Sequence, residues 1–220
     1  MRQIVKGAEP ASLTAHRQTP HSDYDNYAPK DDLRQALVTE QRGLCCYCMG
    51  RVRHKPSTAK IEVKIEHWQC QSNHPAKQLV YSNLLGACLG GHGQPPHLQH
   101  CDTRKGDSDL LWNPADAAHH IETRIRYELD GSIRADDADF NGQLDQVLNL
   151  NLPLLKNNRR GSLDAVLEWW RRERARIGGP VPREHFMRQR EKYIAGNGEM
   201  APFSPVAVWW LGARLARMAA

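Results

Sequence analysis

The sequence predicts an α+β protein, in which a cysteine-bearing module with a short strand pair is followed by a mainly helical C-terminal region. Three observations support this prediction. All six cysteines lie between residues 45 and 101, and the segment 63–68, VKIEHW, alternates as a strand does. Beyond residue 110 the cysteines stop, and apolar residues recur mainly at helical spacing.

The predicted domain organisation has three parts. Residues 1–30 mix Pro, His, Ser and Tyr without periodicity, which predicts an irregular arm. Residues 31–115 contain all the cysteines and form the predicted metal-held module. Residues 116–220 are expected to form a hairpin and helices that contact a partner or DNA.

The N-terminal half should contain one clear helix and one clear strand. Apolar residues at helical spacing predict a helix over 28–43, capped by Asp31 and stopped by Gly43. After the strand at 63–68, the second half of 78–91, QLVYSNLLGACLGG, is expected to open a helix.

The C-terminal half should be a hairpin followed by helices. The segment RIRYELDGSIRAD alternates around Asp130 and Gly131, which predicts a two-residue hairpin turn. A helix over 161–177 is expected to be capped by Ser162 and stopped by Gly178. Further helices are predicted over 183–196 and 203–218.

Charge and composition narrow the class of partner and the compartment. The formal net charge of +5 favours a polyanion such as nucleic acid over an acidic small molecule. The sequence has no run of 18 apolar residues and no apolar segment typical of a signal peptide. A cytoplasmic protein without membrane contacts is therefore expected.

The cysteine spacing predicts a structural zinc site, because thiols in the cytosol stay reduced and are then available as metal ligands. Cys45 and Cys48 form a C-x-x-C motif. Pairing Cys46 with Cys48 would leave only one intervening residue, a less favourable spacing for two ligands of one metal ion. Cys88 and Cys101 are the natural remaining ligands. Four residues stay open as replacements: Cys70, His92, His97 and His100. A thiol redox role for the C-x-x-C pair is disfavoured, because no thioredoxin-like βαβ pattern surrounds it.

Glu66 and His67 stand next to each other where the predicted strand ends. Successive side chains on a strand point to opposite faces, so only at its end could both turn toward one substrate. A half-buried histidine bonded to backbone is the structural alternative.

These motifs together resemble the HNH endonuclease family, and more closely the HNH nuclease subunits of Septu-type and retron-associated anti-phage systems. The matching motifs are, in order, the C-x-x-C pair, IEHW, YSNLLGAC and HCDTRKGD. The resemblance covers about residues 1–115. It implies a ββα-metal nuclease fold held by zinc, cleavage of nucleic acid with DNA as the expected form, and an ATPase subunit as partner.

The resemblance also implies roles for individual residues. His67 would be the general base, and Glu66 and Asn83 would be ligands of a catalytic Mg²⁺ or Mn²⁺ ion. The sequence departs from the family in having Glu66 where Asp is commonest, and Asp102 where the last His usually stands. Asp102, His100 or neither of them could be a further residue of the metal site.

Basic residues around these motifs are predicted to contact the nucleic-acid backbone. Those nearest the motifs are Lys64, Arg104 and Lys105, and the others are Arg51, Arg53, Lys55 and Lys60. A solvated basic face is the alternative for each of them. For the whole protein, the alternative function is a zinc-stabilised adaptor that binds nucleic acid without cutting it.

Overall fold

The computed structural model describes residues 1–56, 61–196 and 198–218. The helices are α1 (Ala11–Arg17), α2 (Lys30–Glu40), α3 (Cys101–Lys105), α4 (Ala138–Gly142), α5 (Pro153–Ile177), α6 (Arg183–Ile194) and α7 (Ser204–Arg217). The strands are β1 (Lys64–His67), β2 (Leu84–Ala87), β3 (Ile125–Tyr127) and β4 (Ile133–Ala135). The predicted contact residue Lys60 lies outside the described residues.

Strands β1 and β2 form an antiparallel pair, in which Lys64 faces Ala87 and His67 faces Leu84. The helix expected near residue 85 is therefore wrong. The amide of the buried Gln41 bonds both the N–H and the C=O of Gly86, at 2.6 and 2.7 Å, and so continues the strand pairing on the outer side of β2. This tertiary contact stabilises an extended segment that local sequence does not specify.

The short helix α3 follows the strand pair, so that the order of elements is β1, β2, α3. Five residues are too few for a helix to be stable alone. Its first residue, Cys101, is fixed by an N–H bond of 2.9 Å to the carbonyl of Leu148. Its last residue, Lys105, is buried.

The N-terminal segment differs from the irregular arm that was predicted. It contains α1, and both Leu13 and Tyr27 are fully buried in a cluster with residues of α2. Ile4 donates its N–H to the carbonyl of Pro114 at 2.8 Å. The segment orders because it supplies core side chains.

The predicted hairpin is present as β3 and β4, but its turn is longer than expected. Glu128 donates its N–H to the carbonyl of Ser132, and of the turn residues only Gly131 has a positive φ, 84°. A Cβ at Gly131 would lie 2.1 Å from the carbonyl oxygen of Lys156, so α5 packs directly on this glycine. A three-residue loop ending in glycine suits this arrangement.

Helix α5 begins earlier than predicted, with Pro153 at its first position. Ser162 is therefore not a cap but an interior residue, and its hydroxyl donates to the carbonyl of Phe203 at 3.1 Å. The helix ends as expected at Gly178, whose φ is 73°. Similarly, α2 begins at Lys30, which places Asp31 inside its first turn and not at its cap.

A single hydrophobic cluster joins the cysteine module to the helical region. It includes residues from both sides of position 115, among them Val63, Leu85, Leu148, Val166 and Leu211. Across the described ranges, none of the helices combines the length and the apolar character that spanning a membrane requires.

Candidate metal centre and adjoining cleft

Four cysteines from three places in the chain meet in the core. Cys45 and Cys48 lie in the loop after α2, Cys88 directly follows β2, and Cys101 begins α3. Their sulfur atoms all lie within 4.8 Å of one another. The sequence prediction of this quartet agrees with the group of side chains that the structure brings together.

The sulfur separations fit a tetrahedral metal ion. A zinc ion with Zn–S distances of about 2.3 Å keeps its sulfur ligands about 3.8 Å apart. The observed Sγ–Sγ distances are 3.9 Å between Cys45 and Cys101 and 3.7 Å between Cys48 and Cys88. The quartet is thus positioned to bind one metal ion, consistent with structural zinc.

The protonation of the thiols also favours a bound cation. Burial opposes ionisation of Cys45, but hydrogen bonds from Cys101 and the other thiols outweigh it and hold its pKa well below the usual value. Burial and the neighbouring Cys45 raise the pKa of Cys101 well above its usual value. Metal binding requires all four thiols to lose their protons, so a bound cation would stabilise the thiolate form that burial opposes at Cys101.

Backbone geometry brings Cys101 into the quartet. His100 donates its N–H to the carbonyl of Gly90 at 2.9 Å, and Gly90 has a φ of 56°. A Cβ on Gly90 would lie 2.1 Å from the carbonyl oxygen of His100, so only glycine allows the two loops this close. Cys101 itself has a φ of 54°, a strained value for a residue with a side chain.

The other candidate ligands lie outside the quartet. In the described part of the chain, the four cysteines are the only group of three or more His, Cys, Asp and Glu side chains whose ligand atoms lie close enough together to hold a metal ion. Cys46 is buried beside it and donates its N–H to the carbonyl of Gly86. The thiol of Cys70 lies 3.5 Å from the hydroxyl of Ser72. His100 is the nearest alternative, with its Nδ1 3.1 Å from the sulfur of Cys101.

A cleft of about 370 Å³ opens at the end of β1, next to α3. Its lining includes Lys64, Glu66, His67, His92 and Asp102. The structure therefore brings together three of the predicted catalytic or metal-site residues, Glu66, His67 and Asp102, with the predicted backbone contact Lys64.

Glu66 lies at the bottom of this cleft and is only 2% exposed. Its Oε1 accepts a hydrogen bond of 2.7 Å from the hydroxyl of Tyr47 and pairs with Nζ of Lys105 at 3.0 Å. Burial and a hydrogen bond with Asp102 raise the pKa of Glu66 well above its ordinary value. The two carboxyl groups are thus close enough to share a proton.

The pKa of Asp102 is shifted in the opposite direction from that of Glu66. Although burial opposes ionisation, hydrogen bonds with Glu66 and Lys64 lower the pKa of Asp102. Lys64 lies 2.9 Å from its Oδ2 and also donates to the hydroxyl of Thr103 at 2.8 Å. Carboxylate oxygens are hard donors of the kind that Mg²⁺ and Mn²⁺ prefer in proteins.

His67 is held as a neutral imidazole. Its Nε2 lies 3.0 Å from the carbonyl oxygen of Gln78, which can only accept, so Nε2 carries the proton and Nδ1 is the basic nitrogen. Burial lowers the pKa of His67 below its ordinary value. The ring of Tyr24, from the N-terminal segment, packs perpendicular to the imidazole ring, with the two ring centres 4.5 Å apart.

Asn83 is placed differently from its predicted role as a metal ligand. Its Oδ1 accepts from the N–H of Gln69 at 2.9 Å, and its Nδ2 donates to the carbonyls of Gln69 and Lys77 at 3.0 and 3.1 Å. It lines a separate cleft beside Trp68 and Asn113. The side chain ties together the loop that joins β1 to β2.

Lys105 is also placed differently, because it is 2% exposed and cannot reach a nucleic-acid backbone. Its Nζ donates to the carbonyl of His67 at 3.0 Å while pairing with Glu66. Arg104, by contrast, is exposed, as its predicted role requires. The sequence analysis did not identify Tyr47, whose hydroxyl bonds to Glu66. Its position inside the C-x-x-C motif was the signal that could have identified it.

Comparison with known proteins does not assign the chain to a family. No family model matches it, and no curated protein gives a match.

Proposed function

We propose that the protein is a metal-dependent endonuclease that hydrolyses phosphodiester bonds of nucleic acid, with DNA as the expected substrate. The observation that carries the proposal is the cleft at the end of β1, where a neutral histidine lies beside two hydrogen-bonded carboxyl groups. The order β1, β2, α3 next to a cysteine quartet supports the resemblance to HNH endonucleases.

In this proposal, Nδ1 of His67 accepts the proton of the attacking water, while Nε2–H holds the ring against the carbonyl of Gln78. Glu66 and Asp102 would hold a Mg²⁺ or Mn²⁺ ion. When bound, such an ion supplies positive charge for the phosphate oxygens and for the departing oxygen. Lys64 is the cleft cation that can meet the substrate backbone.

The motifs, and not the cleft, support the wider biological role. By the same resemblance, we propose that the protein acts in defence against phage together with an ATPase subunit. The zinc quartet would hold the ends of β2 and α3 in register and take no part in the chemistry.

The adaptor function remains the second candidate because of one observation. Lys105 and Lys64 already pair with the two carboxylates, as they would in a purely structural ion-pair network. An adaptor would bind nucleic acid with this surface and leave it uncut.

Cleavage of supercoiled plasmid and of labelled RNA, with Mg²⁺ or Mn²⁺ and with or without the ATPase subunit, tests the proposal. We expect metal-dependent cleavage that His67→Ala lowers by about 10²- to 10⁴-fold, the usual contribution of a general base. His97→Ala is the matched control, because His97 is exposed and lies away from the cleft lining. Binding without cleavage in all of these conditions would instead support the adaptor.

A further inference from the structure

A second hollow of the molecule lies far along the chain from the cleft, where α5 ends, α6 begins and α7 ends. It has a volume of about 330 Å³, and its apolar wall includes Trp170, Val181 and Phe186. Val181 and Phe186 are almost fully buried, so packing against the core holds these two side chains. Met218, at the edge, is 44% exposed.

Three arginines line the same hollow: Arg174 from α5, and Arg214 and Arg217 from α7. We call it the arginine groove. Among the described residues, no Asp or Glu lines it, and none of the three guanidinium groups forms an ion pair. Neighbouring arginines on α5 differ, since Arg172 pairs with Glu168 and Arg176 with Glu173.

Arg214 is oriented before any ligand arrives. Its guanidinium lies 5.0 Å from the ring centre of Trp170 and 5.0 Å from that of Trp210. Contact with two aromatic faces restricts the guanidinium, which reduces the entropy lost when it binds an anion. The groove therefore offers a fixed cation beside an apolar wall.

Helix ends explain part of this charge. Arg174 lies in the last turn of α5, and Arg214 and Arg217 lie in the last turn of α7, where positive side chains balance the partial negative charge of a helix C-terminus. That balance explains neither the position of Arg214 against two tryptophan rings nor the apolar hollow between the two helix ends. A ligand with both anionic and apolar groups would match both features.

We propose that the arginine groove binds an acidic segment of a partner protein, with one apolar side chain in the hollow and flanking carboxylates on the arginines. Arginine, tryptophan, phenylalanine and methionine are the residue types enriched in protein interfaces, and Arg pairs with carboxylates through two parallel hydrogen bonds. A nucleic-acid backbone fits less well, because it needs a continuous track of cations and the groove is one bounded hollow. This role is separate from the proposed nuclease activity.

The test is a selection from a displayed library of random twelve-residue peptides on the immobilised, zinc-loaded full chain. Three proteins are compared: wild type, the groove variant Arg174→Glu/Arg217→Glu, and the control Arg171→Glu/Arg188→Glu. All four substituted arginines are exposed, so the variants should fold, which circular dichroism checks. Arg171 and Arg188 lie on α5 and α6 but outside the groove lining.

We expect wild type and control to enrich peptides with an apolar residue between acidic ones, and the groove variant to bind such a labelled peptide at least about tenfold more weakly, a change of about 1.4 kcal/mol. Absence of this pattern, or equal binding by the groove variant, would overturn the proposal. A labelled single-stranded oligonucleotide is measured in parallel. If the groove variant loses affinity for that DNA and not for the peptide, while the control keeps both, nucleic acid is the occupant and the peptide proposal is wrong.

Discussion

His67 owes its neutral state to burial, and this sets the pH range of the proposed reaction. Its ordinary pKa is about 6.5, and burial lowers it in the folded protein. An imidazole with a lowered pKa is neutral above that pKa and becomes protonated only as the pH falls through it. A nearby divalent cation would shift the pKa in the same direction.

We therefore expect the cleavage rate to stay level from about pH 7.5 to about pH 6.5 and to decline below that. The free energy of unfolding should also fall on acidification. The contribution of His67 is fully present above its pKa in the unfolded chain and is lost as the pH falls through its lower pKa in the folded protein. Single-turnover cleavage at saturating Mg²⁺ measures the rate. A decline that begins well above pH 6.5 would rule out His67 as the titrating base.

Asn83 illustrates how one residue can satisfy a motif and perform a different task. Its amide groups bond to Gln69 and Lys77 across the β1–β2 loop. We expect Asn83→Ala to lower the free energy of unfolding by about 1–3 kcal/mol, because buried backbone groups lose their partners. The Mg²⁺ concentration for half-maximal cleavage should change little.

Chemical denaturation and a Mg²⁺ titration measure these two effects separately. Asn73→Ala is the control, since Asn73 is an exposed residue of the same loop. A large rise in the Mg²⁺ requirement with unchanged stability would show instead that Asn83 is a metal ligand.

At the residue scale, the members of a site were easier to predict than the contacts that each side chain makes. Cysteine spacing made the quartet the first choice of ligands while leaving replacements open, and the Glu66–His67 pair was predicted from its place at a strand end. Lys105 could not be placed from sequence, because a lysine next to Arg104 has the same local pattern whether it faces solvent or, as here, lies 3.0 Å from buried Glu66. Only the approach of α3 to β1 decides between the two.

At the scale of elements, the cysteine quartet links segments that would not hold together otherwise. Helix α3 has five residues and begins at Cys101, and β2 has four residues and is followed directly by Cys88. We expect Cys88→Ala to lose the zinc ion and to lower Tm by roughly 10 °C, which corresponds to about 3–4 kcal/mol for a chain of this size.

Elemental analysis and thermal unfolding test this expectation. Cys46→Ala is the control, because Cys46 is a neighbouring cysteine, more deeply buried than Cys88, that lies outside the group of metal-binding sulfur atoms. Loss of zinc from Cys46→Ala, with retention in Cys88→Ala, would contradict the assignment of the ligands.

Elements with strong local signals were predicted well. The Asp130–Gly131 segment identified the hairpin close to its observed position. The apolar residues at helical spacing in α5 did the same for that helix. Strand β2 was missed because its partner group, the amide of Gln41, lies 45 positions earlier in the chain. Helix α5 extends the predicted helix over 161–177 back to Pro153, since a proline fits the first position of a helix.

At the scale of the whole molecule, the predicted boundary near residue 115 crosses a continuous core. Buried Arg159 of α5 donates to the carbonyls of Gly131 and Leu150, at 2.6 Å each, and the carbonyl of Leu148 fixes Cys101. The helical region thus helps to position a ligand of the metal centre.

We therefore expect the full chain to unfold in one cooperative transition and the fragment 1–115 to fail to fold or to retain zinc. Calorimetry of the full chain, with circular dichroism and zinc analysis of the fragment, measures both. A fragment that binds zinc and unfolds cooperatively would show that residues 1–115 fold independently of the helical region.

The anchoring of Cys101 by Leu148 also has a consequence for biosynthesis. A ribosome delivers the chain from its N-terminus, so Cys45 and Cys48 emerge long before the residue that fixes the fourth ligand. The metal centre, and with it the cleft, can reach its final form only after the helical region has been translated. A nascent chain therefore carries the proposed catalytic residues without the arrangement that would let them cut.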